Sequence, residues 1–159
     1  MGSAREARRI RPVVDGAIAL VVGSLPFFDA YFHGVTAPAI ATVVFSLVLA
    51  ISLYGRRRFP VIALGVLLLA AIIAKLIDST PTSLVIGAEI ALFTVAIMNP
   101  RRLAIIAGLI SAVTIFSIGQ IGTAAPLLSE ESLEGVAWAG LAVAVGDGMR
   151  TRRNYVRLQ

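Results

Sequence analysis

Six apolar runs occupy most of the chain, at residues 13–28, 35–54, 61–77, 84–98, 103–122 and 133–149. Inside them polar residues neither recur at the interval of a surface helix nor alternate as in a half-buried strand. Such runs suit the bilayer interior, which a helix crosses in roughly 20 residues, with a range of about 17 to 25. The second and fifth runs meet that length directly. The first, third, fourth and sixth draw on flanking residues or local thinning, and the fourth is the weakest by length. The pattern predicts an all-α polytopic membrane protein with six transmembrane helices in three antiparallel hairpins.

Proline placement fits these boundaries. Pro12 and Pro60 fall at the starts of the first and third spans, where a missing N–H costs nothing. Pro38 falls in the first turn of the second span, Pro81 and Pro126 in outer loops, and Asn99-Pro100 in the turn after the fourth. Pro26 lies near the outer end of the first span, where a kink is expected.

Charge orients the spans. Arg5, Arg8, Arg9 and Arg11 precede the first, Arg56, Arg57 and Arg58 join the second to the third, and Arg101 and Arg102 join the fourth to the fifth. Arg150, Arg152, Arg153 and Arg157 follow the sixth, so thirteen of the fourteen basic residues share one side if all six runs cross. The opposite loops carry Asp29, Asp78, Glu130, Glu131 and Glu134 and no Lys or Arg. The positive-inside rule makes the basic side cytoplasmic. The expectation is a multi-pass protein of the plasma membrane with both termini in the cytoplasm. Three spans open on similar basic segments, before Val13, Val61 and Ile105, a pattern that three duplicated hairpins and the charge rule explain equally well.

Composition narrows the function classes. The chain is 58% hydrophobic and 14% charged, with a mean hydropathy of +0.91, far from a soluble domain. Its net charge of +5 sits at the ends of apolar runs, so lipid headgroups explain it and no nucleic-acid partner is expected. With no cysteine, disulfides and thiolate metal sites are excluded. The basic start followed by an apolar run imitates a secretory signal, but without a cleavage site it reads as a retained span. Glu6 stands where a myristoylation signal requires Ser or Thr. No phosphate loop, nucleophile elbow or zinc-protease motif occurs, so no catalysis, cofactor or metal is expected in this chain.

Some residues inside or beside the spans are candidates for sensing. Lys75 and Glu89 lie at similar depths on adjacent antiparallel spans, so they are a candidate ion pair or solute contact; the plainer account has Lys75 snorkelling and Glu89 hydrogen-bonded between helices. His33, the single histidine, is a candidate external pH sensor in the outer loop 29–34, or an interfacial anchor with Tyr31 and Phe32. Ser111, Thr114, Ser117 and Gln120 recur every third residue of the fifth span, suggesting either an aqueous path or hydroxyls bonded within the bundle. In the sixth span, Gly140, Ala144 and Gly148 permit close approach of another span or a second copy. Asp15 is four residues from Arg11, the expected partner.

The sixth span ends in Gly146-Asp147-Gly148-Met149-Arg150-Thr151-Arg152-Arg153-Asn154-Tyr155. This segment resembles the membrane exit of actinobacterial sensor histidine kinases of the DesK-like, nitrate-response class, and the Arg-Pro and Arg-Arg-Arg-Phe-Pro openings resemble their N-terminal domain. The resemblance is architectural over the whole chain and residue-specific only over 146–157. It implies a sensor domain over residues 1–149 and the start of a cytoplasmic signalling helix over 150–159. Gly146, Gly148, Arg150, Arg152, Arg153 and Tyr155 would form the output junction. It further implies a homodimer and a downstream kinase domain, since the phosphoacceptor His, ATP-binding box and Gly-rich lid do not occur within residues 1–159. Asp147 departs from the family's basic or small residue, and with Gly148 beside it a looser helix is expected there. The function implied is relay of a membrane or small-molecule stimulus through the last helix to a two-component kinase. The alternative is a small integral-membrane transporter or channel subunit, favoured by Glu89 and the polar residues of the fifth span.

Overall fold

A computed structural model describes the backbone of residues 3–33, 39–77, 82–120 and 130–157, with side chains over 13–28, 31, 40–77, 82–120, 134, 136–149 and 151–152. It contains the helices α1 (Ser3–Gly23), α2 (Leu25–His33), α3 (Ala39–Gly55), α4 (Pro60–Leu76), α5 (Thr82–Met98), α6 (Arg101–Gln120) and α7 (Glu130–Arg157). No strand occurs among the described residues, so the fold is all-α. The first apolar run is divided between α1 and α2, and α3 to α7 carry the other five.

Residue chemistry accounts for the breaks. Pro26 has no N–H to offer the preceding turn, and its ring crowds the carbonyl four residues back. The helix breaks at Ser24, whose hydroxyl donates to the Val21 carbonyl at 2.8 Å, while the Phe27 amide restarts the ladder on the Ser24 carbonyl at 3.1 Å. The kink expected from Pro26 is thus a short interruption. Two neighbouring expectations need correction. The helical backbone extends through His33, where a loop over 29–34 was expected, because α2 resumes directly after the proline. Pro12 lies inside α1 rather than at its start, since the basic segment before it is helical too. Pro60 does open α4, as its spacing predicts.

α5 packs against every other helix. A helix surrounded by neighbours needs no polar face, which explains why its sequence lacks amphipathic periodicity. Its buried positions include Leu84, Gly87, Ala88, Ala91, Leu92, Val95 and Ala96. The shortest apolar run therefore forms the centre of the bundle.

Alanines share the buried positions with large aliphatic residues, while many large aliphatic residues stay on the outside. Ala63, Ala70, Ala71, Ala74, Ala88, Ala91 and Ala104 are buried, interleaved with Leu49, Leu53, Leu67 and Leu92. Leu20, Ile40, Leu69, Leu109 and Ile62 are exposed. Small residues let helix backbones approach closely. Among the described residues α6 is the one helix long and apolar enough to cross a membrane by length and composition, with a mean hydropathy of 2.0 and only a third of its span buried. α3, α4 and α5 have 17 residues each, about 25 Å at 1.5 Å per residue.

Candidate functional site: the charged end of the bundle

The turn between α3 and α4 places three consecutive arginines in three different environments. The amides of Arg58 and Phe59 both donate to the Gly55 carbonyl, at 2.9 and 3.1 Å, closing a tight corner before Pro60. Arg56 is buried, and its Nη2 donates to Asp15 Oδ1 at 3.0 Å. Arg57 is half-exposed and reaches the other carboxylate oxygen, Nε to Oδ2 at 2.7 Å. Arg58 lies outside, its guanidinium 5.5 Å from the Phe59 ring centre. Asp15 is itself buried, so one carboxylate fixes α1 to the α3–α4 corner. Arg56 is 41 residues away and Arg57 follows it, beyond the reach of the helical spacing that suggests Arg11, whose side chain lies outside the described residues. A signal for this pair was nevertheless available. Leu49 and Leu53 share one face of α3 and are fully buried, and Arg56, just past the end of the helix, continues their spacing.

A second ion pair sits at the exit of α7. Arg101 Nε, at the start of α6, lies 3.5 Å from Asp147 Oδ2. α7 runs without interruption through residues 146–157, so the looser helix expected at Asp147 and Gly148 is not observed. The helix continues because Gly148 faces open space and interrupts no backbone bond, and Thr151 Oγ1 donates to the Asp147 carbonyl at 2.9 Å. At 28 residues it is about 42 Å long, exceeding the roughly 30 Å hydrocarbon core. Gly146 is the residue that allows close packing: a Cβ there would overlap Ala96 Cβ of α5. Gly108 of α6 takes Val143 of α7 in the same way, a Cβ there meeting Val143 Cγ2 at 2.6 Å. Gly140, Ala144 and Gly148, by contrast, are exposed and do not mediate packing within the chain, because they lie on the helix face away from α5 and α6. Arg152 is exposed; Arg150, Arg153 and Tyr155 lie on the helical backbone, their side chains outside the described residues.

The candidates at the other end are brought together only in part. No ion pair joins Lys75 to Glu89 among the described residues; Glu89 is half-buried on α5. Glu134 of α7 accepts from Trp138 Nε1 at 3.3 Å. The His33 side chain lies outside the described residues. The polar residues of α6 do not line one face. A three-residue step turns a helix by about 300°, so each successive member drifts about 60° around the axis. Ser111 is buried with its hydroxyl unpartnered among the described residues, whereas Ser117 is exposed and donates to the Val113 carbonyl of its own helix at 2.8 Å. No group of three or more metal-ligating side chains occurs among the described residues.

No curated protein and no solved structure matches the chain. A family profile described as a domain of unknown function, DUF7134, matches residues 4–153, so the chain belongs to that family.

Proposed function

We propose that this chain is a six-span sensory domain of the plasma membrane, its basic end cytoplasmic, which relays a stimulus through α7 to a cytoplasmic histidine kinase. The observation that carries this reading is α7 itself. It is the longest helix, it extends past the membrane length, and it is tied at its exit to α6 by Arg101–Asp147 and against α5 through Gly146. Movement of the bundle is thereby coupled to the segment that resembles a kinase junction. A stimulus acts by stabilising one arrangement of the bundle over another. Support for six spans comes from the exposed large aliphatic residues, the buried alanines and the placement of every described arginine at one end. The 17-residue helices meet the lower end of the crossing range.

Topology is tested by single cysteines in the otherwise cysteine-free chain. Arg58→Cys is expected to react with an impermeant maleimide only after the membrane is opened, and Ser79→Cys in intact cells. The reverse pattern overturns the orientation.

Signal relay is tested by joining the chain after Arg157 to the core of a histidine kinase and inserting one to four alanines after Arg152. Each insertion rotates the output by about 100°, so autophosphorylation in liposomes is expected to oscillate with insert length. A rate indifferent to the inserts rejects relay through α7. Solute flux lost in Glu89→Gln would point instead to a transporter.

A further inference from the structure

α1 and α3 meet closely at Gly23, where a Cβ would lie 3.0 Å from Ala50 Cβ, but their outer edges stay apart on one side of that contact. Between them lies an open groove of about 580 Å³, bordered by Gly16, Leu20 and Phe27 on one side and by Val43, Leu47 and Tyr54 on the other. Its lining is almost wholly apolar, with small residues at Gly16 and Ala19 leaving the space and the Gly23–Ala50 contact forming its floor. From Val43 to Tyr54 the groove follows twelve residues of α3, eleven rises or about 16 Å. That is about half of the roughly 30 Å hydrocarbon thickness, the depth of one leaflet. The groove also has polarity. Its Tyr54–Gly16 end adjoins Asp15 and the arginine corner, where Arg57 spends its Nε on Asp15 but stays half-exposed, and where Arg56 Nη1 is buried with no partner among the described residues.

We propose that this groove holds one acyl chain of an anionic phospholipid of the cytoplasmic leaflet, with the headgroup phosphate on the Arg57 guanidinium. The site rests on the membrane reading above. The length of the groove selects a single chain, its lining selects hydrocarbon, and the cationic end selects negative charge. Arg57 offers Nη donors to a phosphate while its Nε holds Asp15, a division that its planar fork permits. Bound lipid would brace α1 against α3 at the corner where Asp15 already joins them.

The test compares phosphatidylglycerol with phosphatidylcholine of identical chains, added to the purified chain in detergent and read by native mass spectrometry. One bound phosphatidylglycerol is expected, preferred about fivefold, the contribution of one arginine near an anionic headgroup. Gly16→Leu has open space for its Cβ, with nothing within 4 Å, sends its branch into the groove, and is expected to remove the adduct. Gly65→Leu, equally open but on α4, is expected to keep it. Arg57→Gln is expected to retain one lipid and lose the preference for phosphatidylglycerol. Equal adducts in Gly16→Leu and Gly65→Leu overturn the site, as does wild-type indifference to the headgroup. A protein dimer disrupted by Gly16→Leu, in place of a lipid adduct, overturns it in favour of a second copy. Alkaline extraction of membranes separates the two levels of failure. Chain released by carbonate overturns the membrane reading, whereas retained chain without the adduct overturns the lipid site alone.

Discussion

Asp15→Ala is expected to destabilise the folded chain by about 3–5 kcal/mol, because it leaves the Arg56 guanidinium buried without its counter-charge. Arg56 is 5% exposed and Asp15 6%, so water cannot replace what is lost. Arg57→Gln removes a contact of similar length from the same carboxylate, but from a half-exposed side chain, and is expected to cost about 1 kcal/mol or less. The double substitution Asp15→Leu with Arg56→Leu removes both buried charges and is expected to recover most of the loss, since well-packed apolar residues often replace a buried pair at little cost. Reversible unfolding in mixed detergent micelles, as a function of the denaturing detergent fraction, measures all four proteins. Equal losses for Asp15→Ala and Arg57→Gln would show that burial of Arg56 does not depend on Asp15. Adding the single variants Asp15→Leu and Arg56→Leu completes a cycle whose coupling separates an ion pair from simple loss of packing.

The order of the helices was legible in the sequence because it rests on apolar runs and on proline and arginine at their ends, all local features. What sequence could not supply was which faces meet. Asp15 lies four residues from Arg11, so spacing points to a neighbour on its own helix, but spacing could not announce its described partners Arg56 and Arg57, which come from the α3–α4 corner. The polar residues of α6 illustrate the converse. A regular three-residue interval looks like a stripe, but the helix turns about 60° out of register at each step, so it runs from buried Ser111 to exposed Ser117. The fourth run was judged weakest by length, and its lack of amphipathy is the signature of a helix enclosed by all the others. At the exit of α7 the Gly-Asp-Gly sequence suggested a weak point. The three residues instead face separate surroundings: α5 for Gly146, Arg101 for Asp147 and open space for Gly148. Small residues announce close packing without saying on which side it occurs.

That distinction gives opposite signs to the same substitution along one helix. Gly146→Ala is expected to destabilise the bundle by about 1–3 kcal/mol, the usual cost of overfilling a packed contact. The new Cβ would overlap Ala96 Cβ, an atom fixed to the α5 backbone that no rotamer change can move. Gly140→Ala and Gly148→Ala meet nothing within 4 Å, so only the conformational freedom of glycine in the unfolded chain is removed, and each is expected to stabilise by about 0.5–1 kcal/mol. The compensating variant Ala96→Gly in the Gly146→Ala background is expected to restore most of the loss by returning the missing space on the facing helix. The same micellar unfolding experiment reads all of these. If Gly146→Ala stabilises as Gly148→Ala does, α7 does not rest on α5 at this point, and the proposed coupling between bundle and output helix loses its contact. If Ala96→Gly rescues stability, the fused kinase tests the functional step directly. Gly146→Ala alone, by separating α7 from α5, should then change basal autophosphorylation, and Gly148→Ala should leave the bundle contact intact.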